Sequence, residues 1–276
     1  PRNRQHPRGG VMNHLLRDLA PITDAGWDAI SDDAKPRLAT YLAARKLVDF
    51  RGPAGWGRSA IDLGRVSAID GPTEGVSAEQ RRVLPLIELR TPFTIARAEL
   101  ANADRGAEDL DFGELDAAAQ RIAVAENVAV FYGYAAAGIA GIAERSSHSP
   151  VALGTTGSAY PARVSDAVNR LLAVGIGGPY GLAVSPDAYI EILETTESGD
   201  LLMDHVKEIV GGPVVRTPGL NGAVLVSLRG GDFVFDCGED LSIGYLDHDD
   251  TSVRLYFEES FAFRVLEPDA AVVLTA

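Results

Sequence analysis

The most constraining feature of the sequence is a set of alternating segments near its C-terminus, between residues 230 and 265. A Gly-Gly pair opens this region, and residues 241–245 alternate between apolar and small side chains, which is typical of a half-buried strand. Residues 253–265 predict a longer strand whose side chains point alternately to two faces. One face carries Leu255, Phe257, Phe261, Phe263 and Val265, and the other carries Tyr256, Glu258, Ser260 and Arg264.

An acidic segment, residues 247–250, separates the two predicted strands. A polar turn between two alternating strands indicates a β-hairpin. We expect this hairpin to be the surface on which a helix from the N-terminal part of the chain docks.

Composition limits the class of protein. The chain has 276 residues, of which 46% are hydrophobic and 23% charged, so it is long enough to bury a sizeable core. Its net charge of −14 argues against nucleic-acid binding, because phosphates are also anionic.

No apolar run approaches the roughly 18 residues of a membrane helix, and no secretory signal is visible. The single cysteine, Cys237, excludes an internal disulfide framework, so we expect a soluble cytoplasmic protein with a buried thiol.

The N-terminal segment predicts two consecutive helices after a flexible extension or cloning remnant at residues 1–11. Thr23 has the position of an N-cap for a first helix. Pro36 has the position of an N1 residue that opens a second helix. The second helix would carry Leu38, Tyr41, Leu42 and Arg45 on one side.

Three further segments complete the predicted α+β fold. Residues 54–92 combine short β-like runs with glycine-rich bends and predict an extended arm, which lies on a neighbouring subunit because it cannot bury a core alone. Residues 112–144 show the longest helical pattern. Residues 151–222 alternate helical and strand patterns, with a helix opened by Ser185 and Pro186, and they predict a compact α/β unit.

No catalytic or metal-binding constellation appears in the sequence. The Gly-Gly-Asp-Phe run at 230–233 is similar to the signature turn of cyclic-dinucleotide synthases, but a hairpin turn explains it better. The acidic segment 247–250 could bind a divalent cation, but a solvated loop explains it better. Glu258 and Glu259 are neighbours on a strand and point to opposite faces, so they cannot act as an acid–base pair. We therefore predict no enzyme activity, no cofactor and no metal.

Several segments, in order along the chain, resemble the encapsulin shell proteins. They are residues 12–27, 44–56, 84–90, 178–180 and 229–245. The resemblance implies the fold of tailed-phage major capsid proteins, which has a peripheral domain, an extended arm loop and an axial domain. On this sequence the peripheral domain corresponds to residues 12–54, 92–150 and 223–276, the arm to 55–91 and the axial domain to 151–222.

The resemblance also implies a function. Encapsulins assemble into closed icosahedral homo-oligomers in the cytoplasm, and they enclose dye-decolourising peroxidases or ferritin-like enzymes through a C-terminal targeting peptide on the cargo. One alternative is a phage or prophage major capsid protein, which the acidic charge disfavours. Another is a hydrolase, for which no Ser/His/Asp set is visible.

Two sites follow from the resemblance. The cargo peptide is expected in an apolar groove, flanked by charged residues, whose members are Leu38, Leu42, Arg45, Asp49, Ile243 and Tyr245. A pore around the five-fold axis is expected at Glu197, Ser198, Gly199 and Asp200, where acidic rings favour cations. The alternatives are that the groove residues are only core, that Arg45 and Asp49 form an i,i+4 surface pair, and that the pore segment is an ordinary surface loop.

Overall fold

The computed structural model describes residues 14–154, 157–197 and 200–276. Its first part contains α1 (Asp24–Tyr41), β1 (Asp49–Arg51), β2 (Ala60–Ile69), β3 (Ala78–Pro85), β4 (Ile87–Ala96), α2 (Arg97–Asp104) and α3 (Gly113–Phe131). The middle part contains α4 (Ile142–Arg145), β5 (Val151–Ala152), α5 (Tyr160–Ala173), β6 (Tyr180–Val184), α6 (Pro186–Glu194), β7 (Thr196–Glu197), β8 (Asp200–Leu201), α7 (Leu202–Val210) and β9 (Val214–Arg216). The last part contains β10 (Ala223–Ser227), β11 (Phe233–Cys237), β12 (Ser242–His248), β13 (Ser252–Val265) and β14 (Ala271–Thr275).

The first sheet is organised around β13, which pairs along both of its edges. On one edge β12 is antiparallel to residues 253–258 and β11 to residues 261–265. On the other edge β4 is antiparallel to residues 252–261, and β1 extends the sheet by pairing in parallel with β11. The predicted hairpin of β12 and β13 is therefore confirmed, and the alternating pattern does correspond to strands.

The sequence predicts that an N-terminal helix docks on the hairpin, whereas helix α1 packs mainly on α2 and α3 and shares a core with this sheet. It is also one helix and not two. The side chain of Thr23 accepts a hydrogen bond from Gly26 N, which confirms the N-cap. Pro36 lies inside the helix, so its prediction as the start of a second helix is wrong. Ile30 and Ala34 are buried in the core that α1 shares with α2, α3 and the sheet, and they hold the helix in place, which offsets the one backbone hydrogen bond that a proline cannot make.

Helix α3 is shorter than its sequence pattern predicts. It ends at Phe131, whereas the pattern extended to Glu144. Gly133 has φ = +89°, a conformation that does not continue a right-handed helix. A Cβ on Gly141 would lie 2.2 Å from Gly133 N, so the glycines permit a tight return of the chain rather than close packing on a sheet. Among the described residues, no helix is long and apolar enough to cross a membrane.

The second sheet has the strand order β5-β14-β10-β6-β9, and helices α5, α6 and α7 pack around it. The helix that begins after Ser185 is confirmed, because the Ser185 side chain accepts a hydrogen bond from Ala188 N. The sequence predicts that the α/β unit ends at residue 222, but its sheet includes two strands beyond that residue. Strand β10 pairs with β6, and β14 pairs with β10 and β5. Residues 223–227 and 271–275 therefore belong with the second sheet, because their backbone hydrogen bonds are made there.

The arm is a hairpin of β2 and β3 that pairs with no other strand of the described chain. Leu86 N donates to Ser59 O at its base, with an N···O distance of 3.0 Å. Ile61, near its base, is buried, but several of its apolar side chains are about half exposed, and these are Val66, Ile69, Val76 and Val83. Two strands alone bury little apolar surface, so the arm has no core of its own.

Candidate peptide-binding groove

An open groove of about 190 Å³ lies between α1 and β12. Leu38 forms part of its α1 side and Ile243 part of its β12 side, so two of the predicted residues do face each other here. Further lining residues come from the N-terminal segment, α1, β12 and the turn before it, and β13. They are Leu15, Arg17, Ser31, Ala34, Lys35, Leu241, Ser242 and Phe257.

Local sequence explains this placement on both sides. Ser31, Lys35 and Leu38 recur at spacings of four and three, so they share one face of α1. On the other side, Tyr245 N donates to Leu15 O over 2.8 Å, and this bond holds the N-terminal segment against β12. The groove is therefore formed by the N-terminal part of the chain together with β12 and β13, which are distant from it in the sequence.

The open edge of the groove carries two cations. The Arg17 guanidinium lies over the Trp27 ring, 4.0 Å from its centroid, which fixes its position by a cation–π contact. Lys35 Nζ is 3.5 Å from Asp32 Oδ1, and both side chains are exposed. The sequence analysis missed both cations. The helical spacing of Lys35 and Leu38 could have identified Lys35, whereas nothing local identifies Arg17.

Leu42 and Tyr245 do not line the groove. Leu42 is the C-cap of α1, where its N–H donates to Leu38 O, and its side chain is half buried. Tyr245 is buried in the core beneath α1, and its hydroxyl is 2.6 Å from His248 Nδ1. The alternative that these residues are only core therefore describes Tyr245 better, whereas Leu42 is a half-buried residue at the end of α1.

Arg45 is drawn away from the groove into a buried group of acids. Its Nε is 2.6 Å from Glu126 Oε2, its Nη1 2.5 Å from Asp240 Oδ1 and its Nη2 2.8 Å from Glu259 Oε2. Burial acts to lower the pKa of Arg45, but these three carboxyl groups outweigh it and raise the pKa. Arg45 remains a cation, and each of its three side-chain nitrogens donates to a carboxylate of the same chain.

Asp49 faces a different cavity, of about 210 Å³, which lies beside the turn at residues 228–232. Its carboxylate accepts a hydrogen bond from Gly231 N, and its backbone belongs to β1. The described ion pairs of Arg45 do not include Asp49, so the i,i+4 surface pair is absent from the described part of the chain. The expectation that Arg45 and Asp49 flank the same groove as Leu38 is therefore wrong.

The predicted pore segment is only partly within the described residues. Ser198 and Gly199 lie outside them. Glu197 and Asp200 are backbone partners in the short antiparallel pair of β7 and β8. The described residues of the segment thus belong to a short pair of strands between α6 and α7. No group of His, Cys, Asp or Glu side chains within the described ranges has the arrangement of a metal site.

Comparison with known proteins gives a consistent result along almost the whole chain. Residues 12–262 match a family model described as "Encapsulating protein for peroxidase". A type 1 encapsulin shell protein of Rhodospirillum rubrum is 45% identical over 270 residues, which are 95% of this chain and 96% of that protein. Another, of Mycolicibacterium paratuberculosis, is 40% identical over 96% of this chain and the whole of that protein.

Solved structures support the same fold at low sequence identity. A virus-like particle from Pyrococcus furiosus has a TM-score of 0.63 at 18% identity, and the match covers 90% of this chain and 98% of that one. The capsid of an empty GTA particle has a TM-score of 0.53 at 15% identity, over 85% and 90% of the two chains. The α+β fold is thus that of phage major capsid proteins, and the chain belongs to the encapsulin family of nanocompartment shell proteins, which are structural proteins and not enzymes.

Proposed function

We propose that copies of this chain form a closed icosahedral shell in the cytoplasm, and that the shell encloses an enzyme bearing a C-terminal targeting peptide. The description of the matching family as encapsulating a peroxidase supports a dye-decolourising peroxidase as the first cargo to test, with a ferritin-like enzyme as the second. The observation that carries the peptide-binding part is the groove between α1 and β12, where Leu38 and Ile243 face each other. The net charge of −14 favours a protein cargo over nucleic acid.

The groove has the chemistry of a site for an extended peptide. Apolar pockets hold alternate side chains of such a peptide, and each fully buried Leu or Ile contributes roughly 1.5–3 kcal/mol. Arg17 and Lys35 at the open edge are donors for peptide carbonyl or carboxylate oxygens. A single groove binds weakly, but a multimeric cargo engages several grooves at once and gains avidity. In this assignment Leu38 and Ile243 contact the peptide, whereas Leu42, Tyr245, Arg45 and Asp49 support the surrounding structure.

The test is to co-express a fluorescent reporter carrying the native targeting peptide with shells containing Ile243→Asp. We expect intact shells that are empty, because a carboxylate in the groove removes an apolar contact and remains unpaired. Leu246→Asp is the matched control on the same strand, since Leu246 is 46% exposed and does not line the groove. Ile243→Asp shells that assemble and load the reporter as well as the control would place the peptide elsewhere.

The domain organisation follows the sheets. We propose a peripheral domain of residues 12–54, 92–150 and 228–270, an arm of 55–91, and an axial domain of 151–227 and 271–276. This division keeps β10 and β14 with the strands they pair with. Within the axial domain, residues 197–200 are proposed to surround a pore in the assembled shell.

A further inference from the structure

The buried acids around Arg45 pose a problem of charge that the shell function does not explain. Glu126 and Glu259 side chains are 0% and 1% exposed, whereas Asp240 is 47% exposed and can be solvated. Two ionised carboxylates beside one guanidinium would leave one uncompensated negative charge in the interior. Such a charge is costly to bury, so an arrangement with one proton on the pair is favoured.

The oxygen atoms that Arg45 does not contact indicate where this proton lies. Glu126 Oε1 and Glu259 Oε1 are both buried, and neither accepts a hydrogen bond from any described residue. Both carboxyl groups bind the same guanidinium, Glu126 at Arg45 Nε and Glu259 at Arg45 Nη2, which brings the two acids together. Burial raises the pKa of Glu259, and Glu126 accordingly raises this pKa further. Two facing acceptors repel when both are ionised, whereas one proton between them makes a charge-assisted hydrogen bond.

Three titratable or charged groups face the pair from the elements packed against it. They are Arg45 from the connection after α1, Asp240 from the turn before β12, and Cys237 from β11. The rings of Phe50 and Phe235 lie on Arg45, at 5.0 Å and 5.3 Å from the guanidinium carbon to their centroids. Burial, with the carboxyl of Asp240, raises the pKa of Cys237 to about 12, so its thiol stays neutral. In the described chain, Arg45 is thus the cation that compensates the pair.

We propose that Glu126 and Glu259 share a single proton at neutral pH, and that this proton is a structural part of the joint between α3, β13 and the segment containing Arg45. Burial, followed by the neighbouring Glu126, raises the pKa of Glu259 well above its usual range, in agreement with this arrangement. The joint reaches the groove because Asp240 Oδ1 accepts from both Arg45 Nη1 and Leu241 N. This consequence for the groove rests on the proposed function, whereas the shared proton does not.

A shared proton makes the stability of the folded chain depend on pH. A glutamate of the unfolded chain has a pKa of about 4.3, whereas the folded pair keeps its shared proton to higher pH. Above the unfolded value the folded state binds more protons, so stability falls as pH rises until the pair itself ionises. In Glu259→Gln the amide supplies a permanent donor to Glu126 and an acceptor for Arg45, so this fall is removed.

The experiment measures thermal unfolding midpoints of cargo-free particles from pH 4 to pH 9. We expect wild type and Glu259→Gln to coincide near pH 4 and to diverge as pH rises, with the variant higher by roughly 2–4 °C per pH unit. Glu108→Gln, at an exposed residue, is the matched control and should follow the wild type. A difference that is constant with pH, or no difference, would overturn the proposal.

A spectroscopic measurement covers the case in which Glu259→Gln does not fold. Infrared difference spectra at pH 7 between wild type and Glu126→Gln should contain one protonated-carboxyl band that shifts in D₂O. In Glu126→Gln, Glu259 has no acidic neighbour to share a proton with and is ionised beside Arg45. This variant therefore lacks the protonated-carboxyl band. A spectrum without this band contradicts the proposal, and neither measurement depends on cargo loading, which tests the proposed function separately.

Discussion

At the scale of single residues, Arg45 joins three distant parts of the chain. Its guanidinium contacts Glu126 on α3, Asp240 before β12 and Glu259 on β13. A planar guanidinium can donate to three carboxyl groups in different directions, which a lysine ammonium on a flexible stem does less well. The position therefore requires arginine for its geometry as well as for its charge.

Replacing Arg45 by Gln leaves two buried acids without a cation, and we expect the free energy of unfolding to fall by about 3–5 kcal/mol at pH 7. The loss should shrink at acid pH, because both carboxyl groups then bind protons and become neutral. Arg170→Gln is the control, since Arg170 pairs with Asp166 at the surface and its loss should cost less than about 1 kcal/mol. Urea unfolding at pH 5 and pH 8 measures the free energy of unfolding of both variants. Equal losses for the two variants would show that the buried cluster is not stabilised by Arg45.

At the scale of elements, the arm is the part of the chain that is least supported by its own subunit. Its two strands pair only with each other, and Val66 and Val83 are 52% and 47% exposed. An isolated two-stranded sheet is marginally stable in water, so contacts with other subunits are expected to complete it. The rest of the subunit does not depend on the arm, because both cores lie in the two sheets and their helices.

Removing residues 60–85 and joining Ser59 to Leu86 should therefore leave folded subunits that do not form uniform particles. The junction is short, because Leu86 N already donates to Ser59 O. Circular dichroism and urea unfolding should show a native subunit, and negative-stain electron microscopy should show no closed shells. Uniform spheres formed by the deletion variant would mean that the arm does not hold the shell together.

At the scale of the whole molecule, the acidic charge and the proposed pore affect what enters a shell. If residues 197–200 surround an axis, repeated Glu197 and Asp200 carboxylates make a ring that favours cations over anions. We expect Asp200→Lys to slow the entry of divalent cations several-fold, measured by the metal-dependent activity of an enclosed enzyme. Glu108→Lys makes the same charge change outside the axial domain and should have no effect. Unchanged entry in Asp200→Lys shells would contradict a pore at this segment.

Much of the fold is predictable because it depends on local patterns. The alternation along residues 253–265 predicts β13, since a strand places successive side chains on opposite faces. Thr23 and Ser185 predict two helix starts, because a short polar side chain can accept from the free N–H groups of the first turn. The same local reasoning correctly separates Glu258 from Glu259. Glu258 contacts Arg90, whereas Glu259 contacts Arg45.

The features that the sequence could not provide all depend on contacts between distant segments. Glu259 faces Glu126 because α3 crosses β13, and no spacing along the chain relates the two residues. Arg17 reaches the groove because Leu15 is bonded to β12. Strand β10 belongs to the second sheet because its edges pair with β6 and β14. Periodicity specifies which face of an element is buried, whereas the partner of that face is chosen by packing and hydrogen bonding across the folded chain.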